Sequence, residues 1–542
     1  MKLSDANLHD DFWTSANYAL PNFDRALMIE RTRRKPKWLH LGAGNIFRAF
    51  IAAAQQEMLN TGEDDTGIIV GEGFDYEIIE KAYQPYDNLT VDVELLADGT
   101  CNKTVVGSIA ESLIMSNGHT DYERLKEIFR SPSLQIVSFT ITEKGYNLVD
   151  TSNNIYPAVQ KDFENGPYQV QTYMGKVAAL CYERFLADKL PLALVSMDNC
   201  SHNGEKLFMA LESYAKAWAD RGLCKSDFVV YLQDPALISF PWTAIDKITP
   251  RPDAKVLQIL TDDGLENMEP VTTSKNTYVA PFVNSERTQY LVVEDWFPNG
   301  RPPLNARGVW FGSRDTVDKF ERMKVCTCLN PLHTSLAIFG CLLGYTSIAD
   351  EMKDPDLREL VTKLAYQEAM PVVVDPGIID PMDFVDEVLN QRFPNPFIPD
   401  TPQRIATDTS QKLGIRFGET IKSYMASDTL DVNNLTYIPL IIAAWCRYLL
   451  GVDDSGSVMS LSADPLLEEM TAYVAGIKLA DGLDHSSAIR PIISNEKIFG
   501  TNLYSIGLGS KIEAYFNNMI SGTDQVRQTL RRTLASNNEY RK

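Results

Sequence analysis

"KWLHLGAGNIFRAFIAAAQQEML", the stretch from Lys37 to Leu59, decides the fold class of the chain. An apolar run of strand length ends in Gly42-Ala43-Gly44 and leads directly into a helical pattern. In a dinucleotide-binding unit the first glycine permits a tight turn, the second lets the backbone approach a pyrophosphate, and the helix N-terminus attracts the phosphates. Phe47 stands where the third glycine of that fingerprint is expected. The stretch alone is therefore compatible with a cofactor site and with a plain turn.

The next strand-like run supports the cofactor interpretation. It ends in "IIVGEGFD", Ile68 to Asp75, at the spacing of one strand-helix-strand unit. Glu72 and Asp75 stand where a carboxylate is expected to bind the ribose hydroxyls. Since a carboxylate there repels the 2′-phosphate of NADP, the sequence predicts NAD as the cofactor. Gly71-Glu72-Gly73 repeats the G-x-G pattern, but no helical pattern follows at once, and we interpret it as the loop after the second strand.

Length and charge limit the class of protein. The chain has 542 residues and a formal net charge of −21. Its length favours two domains with large buried cores. The negative charge argues against nucleic acid and anionic membranes as partners. The first residues lack the apolar core of a signal peptide, and no apolar run approaches the roughly 20 residues that span a bilayer, so we expect a soluble, cytoplasmic protein.

The eight cysteines are scattered along the chain, a usage typical of reduced thiols rather than of a disulfide framework. Cys326 and Cys328 form a C-x-C pair, a spacing that also occurs in metal sites. No second ligand pair lies nearby in the sequence, and small buried side chains explain the pair more simply than zinc does. We therefore predict no metal.

The first half of the chain has the rhythm of an α/β protein. Strand-like runs alternate with helical patterns at Tyr173 to Lys189 and at Gly204 to Arg221, which is typical of a parallel sheet covered by helices. The predicted strands are Trp38 to Leu41, Thr66 to Val70, Ile136 to Ile141, Leu192 to Ser196 and Phe228 to Leu232.

Two further patterns complete the predicted architecture. Between Asn88 and Ala110 polar and apolar residues alternate around Asp98-Gly99, which predicts an antiparallel hairpin added to the α/β domain. From about Thr316 onward helical patterns dominate, interrupted by a proline-rich connection from Pro371 to Pro402. We expect residues 1–315 to form the α/β domain and residues 316–542 a mainly α-helical domain.

Six motifs in the same order resemble the mannitol dehydrogenase family, the long-chain polyol and hexuronate dehydrogenases. They span roughly residues 36 to 412 and are "GAGNIFRAF", "VSFTITEKGY", "SMDNCSHNGE", "FPWTAIDKITP", "VVEDWFPNGRPP" and "MKVCTCLNPLHTSLAIFG". The resemblance implies an N-terminal Rossmann-type domain with added antiparallel strands and a mainly α-helical C-terminal domain. It also implies metal-independent, NAD(P)-linked oxidation of a secondary alcohol.

The resemblance assigns the chemistry to four residues. It implies Lys324 as the acid/base, Asn199 and Asn330 as amides that steady the developing alkoxide, and His333 as a hydrogen-bonding partner of the substrate oxygens. A lysine that is partly desolvated in a cleft can act as a base near neutral pH, which suits this assignment. Glu321 matches a carboxylate associated with proton movement, although a solvated surface glutamate explains it equally well.

Further matches concern the cofactor and the substrate. Asp246 and Arg404 match substrate-side positions, and Lys412 is a second candidate partner for a substrate carboxylate. Arg392 has an alternative role in bracing the proline-rich connection. The implied cofactor-binding residues are Gly42, Gly44, Asn45, Ile46, Phe47, Glu72 and Asp75.

The spacing of the catalytic residues departs from the family pattern. The family has K-x4-N-x2-H, whereas Lys324 and Asn330 are separated by five residues. On a continuous α-helix one extra residue turns the lysine by about 100° away from the other two side chains. Asn330-Pro331 reads as the start of a helix, with an N-cap followed by proline. We therefore expect the segment before Asn330 to absorb the extra residue.

The substrate is less clearly marked in the sequence. The "GNIFRAF" form of the glycine motif and the "HT" at His333 favour the hexuronate branch of the family, and D-mannonate and D-fructuronate as the substrate pair. Tagaturonate reductase and mannitol 2-dehydrogenase activities remain alternatives. If the extra residue displaces Lys324, a non-catalytic protein that binds NAD and a sugar acid is a further alternative. Nothing in the sequence indicates the oligomeric state.

Overall fold

The computed structural model describes residues 1–536. The chain divides into two compact units. The first comprises Met1–Leu96 and Thr100–Asp318, and the second comprises Ala97–Gly99 and the chain from Lys319 onward. The domain boundary expected between residues 315 and 316 falls inside a helix, Arg314–Arg322.

The first unit is built around a parallel sheet. Six strands lie in the order β6-β3-β2-β7-β8-β9, and all neighbouring pairs are parallel. This is the order of two strand-helix-strand halves that meet between β2 and β7, the position at which sheets of this kind bind ligands. The strands of the described chain are β1 Tyr18–Ala19, β2 Trp38–Leu41, β3 Ile68–Glu72, β4 Thr90–Leu95, β5 Cys101–Val106, β6 Ile109–Ile114, β7 Ile136–Phe139, β8 Leu192–Ser196, β9 Ile238–Ser239, β10 Thr243–Asp246, β11 Val271–Thr272, β12 Tyr278–Val279, β13 Phe282–Glu286, β14 Tyr290–Glu294 and β15 Val309–Gly312.

Helices cover both faces of this sheet. In β2, Leu39 and Leu41 belong to one hydrophobic core, whereas Trp38 belongs to another. Since successive strand residues point to opposite faces, both faces are buried, as expected for a parallel sheet. The helices of the first unit are α1 Phe12–Ser15, α2 Arg25–Arg34, α3 Ala53–Thr61, α4 Glu77–Ala82, α5 Thr120–Arg130, α6 Pro157–Asn165, α7 Tyr173–Leu186, α8 Asn203–Asp220, α9 Asp227–Gln233 and α10 Ala254–Asp263.

The predicted hairpin is present but pairs outside the six-stranded sheet. Strands β4 and β5 are antiparallel, and Gly99 in the connecting turn has a φ of 87°. They form a mixed four-stranded sheet in the order β1-β5-β4-β13. Two smaller sheets, β10-β14-β15 and β11-β12, complete the strands of this unit.

One predicted strand is wrong. Phe228 to Leu232 lies in helix α9, and the strand that follows is β9, ten residues after Phe228. Phe228, Tyr231 and Leu232 are buried, whereas Val230 is exposed. Buried residues three and four positions apart are typical of a helix. The composition of a short apolar run, however, fits a strand and a buried helix equally well.

The second unit is helical. Helix α19 is buried along its whole length and is the central element of the unit. The helices, counting Arg314–Arg322 as α11, are α12 Asn330–Leu342, α13 Ile348–Glu351, α14 Pro355–Lys363, α15 Pro381–Glu387, α16 Pro402–Ile405, α17 Thr409–Leu413, α18 Glu419–Met425, α19 Tyr437–Tyr448, α20 Leu467–Val474, α21 Ser486–Ile493, α22 Glu496–Phe499, α23 Gly509–Ile520 and α24 Gln525–Ser536.

Several helices contain π-helical turns, which take more residues per turn than an α-helix and occur frequently at functional sites. They are Phe47–Ala52 in the first unit and Met323–Cys328, Leu364–Ala369, Val388–Arg392 and Gly414–Gly418 in the second. The helical run Arg314–Leu342, which contains one of them, has the length and hydropathy of a membrane span, but 78% of its most apolar window is buried within the protein. Such burial is typical of a core helix.

Candidate active site

The glycine loop after β2 has the geometry of a phosphate cradle. Gly42 has a φ of 114°, and a Cβ built on it would lie 2.2 Å from the Thr140 carbonyl oxygen, so only glycine fits. A Cβ on Gly44 would meet no atom within 4 Å. Gly44 thus faces open space, and a side chain there would fill it. The helix begins at once, and its first N–H groups have no partner within the helix.

Phe47, in place of the third glycine, packs beneath the loop. It is fully buried, and its ring stacks on that of His40 in β2, with centroids 4.3 Å apart and planes 10° apart. His40 hydrogen-bonds to Ser138 Oγ at 2.7 Å and to Thr140 Oγ1 at 2.9 Å, both in the β7 segment. Flat stacking lets the helix approach the strand, which is the task that the third glycine usually performs. Burial lowers the pKa of His40 to about 3.

The other predicted cofactor residues have different placements. Asn45 Oδ1 accepts a hydrogen bond of 2.9 Å from Arg48, whose guanidinium is buried and also donates to the Ala280 carbonyl. Asn45, Ile46 and Phe47 do not line the cavity beside the glycine loop. They anchor the start of the helix rather than form the cavity wall.

The two acids after β3 also differ. Both oxygens of Glu72 accept backbone N–H groups, from Ala43 at 3.0 Å and from Phe74 at 2.8 Å. Glu72 therefore holds the glycine loop in place. Asp75 Oδ2 accepts a hydrogen bond of 2.6 Å from Thr273, and its buried Oδ1 has no hydrogen-bond partner among the described residues. Of the two, Asp75 has the carboxylate oxygen that no described residue occupies.

The two loop glycines, Glu72 and Asp75 line a cavity of 590 Å³ in the first unit. It lies at the carboxyl ends of β2, β3 and β7, where the strand order reverses. Its volume falls in the range of cofactor sites. The wall includes Gly42, Ala43, Gly44, Glu72, Phe74, Asp75, Ile78, Thr140, Ile141, Thr142, Lys144, Gly145, Asn147, Tyr156, Tyr173 and Thr277.

One wall segment is held in a strained conformation. Thr142 has a φ of 65° and a ψ of 156°, a region that a β-branched residue rarely adopts. The Asp198 carboxylate accepts hydrogen bonds from the N–H groups of Ile141 at 3.0 Å and Thr142 at 2.8 Å, and from the Tyr146 hydroxyl at 2.6 Å. Sequence reasoning missed this clamp, although Asp198 directly precedes the predicted Asn199.

The remaining predicted residues of the first unit lie near strand ends. Asn199 is exposed and follows β8 by three residues, at the same edge of the sheet as the cavity. Asp246 is the buried last residue of β10 and pairs with Tyr290 of β14.

Lys324 and Asn330 lie on either side of a break between two helical segments. Lys324 is buried, with 4% exposure, within the π-helical turn Met323–Cys328. The Leu329 N–H donates to the Lys324 carbonyl at 3.1 Å, a bond that spans five residues instead of four. Helix α12 then begins at Asn330, with Leu329 as its N-cap, one residue before the expected cap. A π-helical turn accommodates one additional residue, so the longer spacing has a structural explanation.

His333 lies one turn into α12 among cationic side chains. Burial and the charges of Arg392, Arg416, Arg404 and Lys412 lower its pKa to about 3, so the imidazole is neutral at pH 7. Its Nε2 is 3.4 Å from Asp400 Oδ2 but makes no well-aligned hydrogen bond to any described residue. A neutral ring with an uncommitted nitrogen can hydrogen-bond to a ligand.

The predicted substrate cations are differently engaged. Arg404 is exposed and forms an ion pair with Asp400. Lys412 donates to the carbonyls of Thr407 and Ile405. Arg392 is buried at the end of its π-helical turn, and its backbone carbonyl accepts a hydrogen bond of 3.2 Å from the Asn395 N–H. Sequence reasoning missed Arg416, because its approach to His333 depends on tertiary packing.

The cysteine pair lies next to the lysine. Cys326 and Cys328 are buried free thiols, and burial raises the pKa of Cys328 to about 12. Within residues 1–536, no three His, Cys, Asp or Glu side chains are grouped as metal ligands.

The strand order, the glycine loop and the cavity define a Rossmann-type unit, the class of fold that binds dinucleotides. Comparison with known proteins refines this class. Residues 36–306 match the mannitol dehydrogenase Rossmann domain, and residues 316–516 match the mannitol dehydrogenase C-terminal domain. The chain therefore belongs to the mannitol dehydrogenase family, and the predicted fold class is confirmed.

Individual relatives span nearly the whole chain. A D-mannonate oxidoreductase of Thermotoga maritima is 54% identical over 520 residues, which are 96% of this chain and 96% of the relative. A mannitol 2-dehydrogenase of Pyrenophora tritici-repentis is 28% identical over 88% of this chain and 78% of the relative. The structure of Pseudomonas fluorescens mannitol 2-dehydrogenase in a ternary complex with NAD and D-mannitol superposes with a TM-score of 0.69, at 26% identity, over 99% of this chain and all of that one.

Proposed function

We propose that the protein is an NAD-linked, metal-independent oxidoreductase that interconverts D-mannonate and D-fructuronate. The observation that carries this proposal is the 54% identity to a D-mannonate oxidoreductase over 96% of both chains. The relatives named mannitol 2-dehydrogenase are only 26% and 28% identical. Mannitol 2-dehydrogenase and tagaturonate reductase activities are the alternatives. A small-molecule sugar acid is the partner, and we expect the protein to act in the cytoplasm.

The cavity of the first unit fits NAD. Gly42 and Gly44 leave room for a pyrophosphate beside the backbone, and the following helix offers its N-terminal N–H groups and its dipole. The uncommitted oxygen of Asp75 suits a ribose hydroxyl, and its negative charge disfavours the 2′-phosphate of NADP. NAD held by these residues would supply the hydride-transfer chemistry of the reaction.

The second unit supplies the proton chemistry. Lys324 takes the hydroxyl proton during oxidation and returns it to the ketone oxygen during reduction. Its burial excludes water from that transfer. The family resemblance assigns to the amides of Asn330 and Asn199 the task of donating to the oxygen on which negative charge develops. His333, neutral at pH 7, hydrogen-bonds to a substrate hydroxyl through the nitrogen that the protein leaves uncommitted.

An acidic substrate suits the charges around His333. Four cations lie close enough to lower the pKa of its ring, whereas Asp400 is the acid beside it and is already paired with Arg404. A substrate carboxylate would be attracted to those cations that the protein leaves without an acidic partner. A neutral polyol would gain much less from them.

A panel of substrates tests the proposal. Purified protein is mixed with NADH and with D-fructuronate, D-tagaturonate or D-fructose, and NADH absorbance is followed. We expect fructuronate to give the highest kcat/KM, and NADPH to support a slower reaction than NADH. A preference for tagaturonate or fructose would select the corresponding alternative. NADH binding without oxidation by any of the three would identify a non-catalytic binding protein.

A further inference from the structure

One arginine of the second unit has no anionic partner. Arg416 lies in the π-helical turn Gly414–Gly418, and its Nη1 donates to the hydroxyl of Thr334, the residue after His333. No carboxylate among the described residues forms an ion pair with it. Burial lowers the pKa of Arg416 to about 10, and no neighbouring acid offsets that effect.

Arg184 provides the comparison within the same chain. It is a fully buried arginine, and burial lowers its pKa to about 10 as well. Its guanidinium is satisfied by the protein, because Nε, Nη1 and Nη2 donate five hydrogen bonds to backbone carbonyls. Arg416 donates one, to a neutral hydroxyl. Burial is thus common to both residues, and the lack of partners distinguishes Arg416.

Other charged side chains surround Arg416. Lys412, one turn earlier, and Arg404 both lie close enough to interact electrostatically within this cluster, and the acids Asp408 and Asp464 lie near Lys412. The Lys412 ammonium is held by backbone carbonyls, and Arg404 is held by Asp400. Arg392, the other cation of the cluster, also has an interaction partner within the protein. Arg416 is therefore the member of the cluster whose guanidinium edge is available for a ligand. Partial burial of an unpaired cation costs free energy, which an anionic ligand offsets.

We propose that Arg416 binds the carboxylate of the sugar acid and makes the enzyme select acids over neutral polyols. This proposal rests on the proposed function. A planar guanidinium matches a carboxylate with two parallel hydrogen bonds, a geometry that lysine does not reproduce. His333, adjacent to Thr334, then hydrogen-bonds to a hydroxyl of the same substrate.

Substitution of Arg416 tests this assignment. Arg416→Met keeps the length of the side chain and removes the charge, and Arg416→Lys keeps the charge and removes the fork. For Arg416→Met we expect kcat/KM for D-fructuronate to fall by about 10²- to 10³-fold, mainly through KM, because one partner of a desolvated ion pair is lost. The preference for fructuronate over fructose should shrink by the same factor. Arg416→Lys should give an intermediate loss.

Controls separate binding from folding. Arg358 is exposed and donates to Asn390, so Arg358→Met, the matched control in the same unit, should keep the wild-type kcat/KM. Circular dichroism and the melting temperature report whether each variant folds. If Arg416→Met does not fold, Arg416→Lys carries the test, with an expected loss of at least about tenfold on fructuronate.

Two results would overturn the assignment. One is an unchanged kcat/KM for fructuronate in a folded Arg416 variant, and the other is an equal loss on fructuronate and fructose. Titration of D-gluconate, a stable sugar acid, into NADH-saturated wild type and Arg416→Met needs no turnover. Loss of gluconate binding in the variant would support Arg416 even if the wild type reduced none of the sugars in the panel, a result that refutes the proposed function alone.

Discussion

The cavity of the first unit and the cation cluster of the second recognise ligands by different physical means. Beside the glycine loop, the charged side chains are largely satisfied by the protein: Glu72 holds the loop and Asp198 holds the strained wall at Thr142. Around His333 lie four cations, and one of them, Arg416, has a single neutral partner. The comparison teaches that the first region fixes backbone geometry for a ligand, whereas the second retains a cation without an anionic partner.

Loss of the lysine should have the largest effect. If Lys324 is the acid/base, Lys324→Ala reduces kcat by about 10²- to 10⁴-fold, the usual contribution of general acid/base catalysis. The pH–rate profile of alcohol oxidation should lose the limb that reflects ionisation of the lysine, while the Kd for NADH stays the same. Asn330→Ala should lower kcat but keep that limb. Lys353→Ala, at an exposed lysine of the same unit, is the control, and full activity of Lys324→Ala would exclude the family mechanism.

A side chain added to the glycine loop should weaken NADH binding in the cavity of the first unit. Gly44→Val fills the open space beside the backbone and should raise the Kd for NADH by at least about tenfold, or 1.4 kcal/mol. Gly44→Ala should have a smaller effect, because its side chain is smaller. Fluorescence titration of NADH measures both. Wild-type affinity in the valine variant, with its fold intact, would mean that the pyrophosphate lies elsewhere.

Substitutions of the two cavity acids should differ in their effect on the preference for NAD over NADP. Asp75→Ala should narrow the preference for NAD over NADP by about tenfold, since it removes a group that hydrogen-bonds one ribose and repels the other. Glu72→Gln should weaken both coenzymes alike, because Glu72 holds the backbone of the loop. Ratios of kcat/KM for NADH and NADPH check this. If the ratio of kcat/KM for NADH and NADPH changed only in the Glu72 variant, Glu72 would be the ribose-binding acid and Asp75 would not.

A buried carboxyl of the second unit should affect stability and not catalysis. Glu351 has no exposed surface, and burial, followed by the nearby charge of Asp354, raises its pKa to about 9. The folded state thus keeps a proton that the unfolded state loses above the ordinary glutamate pKa of 4.5, so stability falls as the pH rises from about 4.5 to about 9.

Glu351→Gln removes that dependence. At pH 8 the variant should melt higher than the wild type, by about 2–4 °C for each kcal/mol regained, and at pH 4.5 the two should melt together. Its kcat/KM for fructuronate should match the wild type. Equal melting temperatures at both pH values would show that the carboxyl is ionised in the folded protein.

Local patterns predicted the parts of the fold that depend on neighbouring residues. The glycine turn after β2 and the β4-β5 hairpin follow from short sequence signals, Gly42-Ala43-Gly44 and Asp98-Gly99. Phe228 to Leu232 was wrong because a short buried run fits a strand and a helix equally well. Phe47 looked like a defect in the fingerprint, because its stacking on His40 joins two elements that no local pattern connects.

The candidate site was less predictable for the same reason. The family motif indicated Lys324, Asn330 and His333, and their spacing raised a difficulty that only the π-helical turn explains. The sequence motifs gave no indication of the π-helical turn Met323–Cys328. Arg416 lies 83 residues after His333 in the sequence, and its approach required the fold. Roles assigned to these residues stay predictions that the variants test.

The central claim is that the second unit binds a sugar acid by its carboxylate. Calorimetric titration of D-mannonate and of D-mannitol into NADH-saturated wild-type protein tests it most directly, because NADH prevents turnover and the two ligands differ at the acid group. We expect mannonate to bind at least about tenfold more tightly than mannitol. Equal affinities, or tighter binding of mannitol, would contradict it.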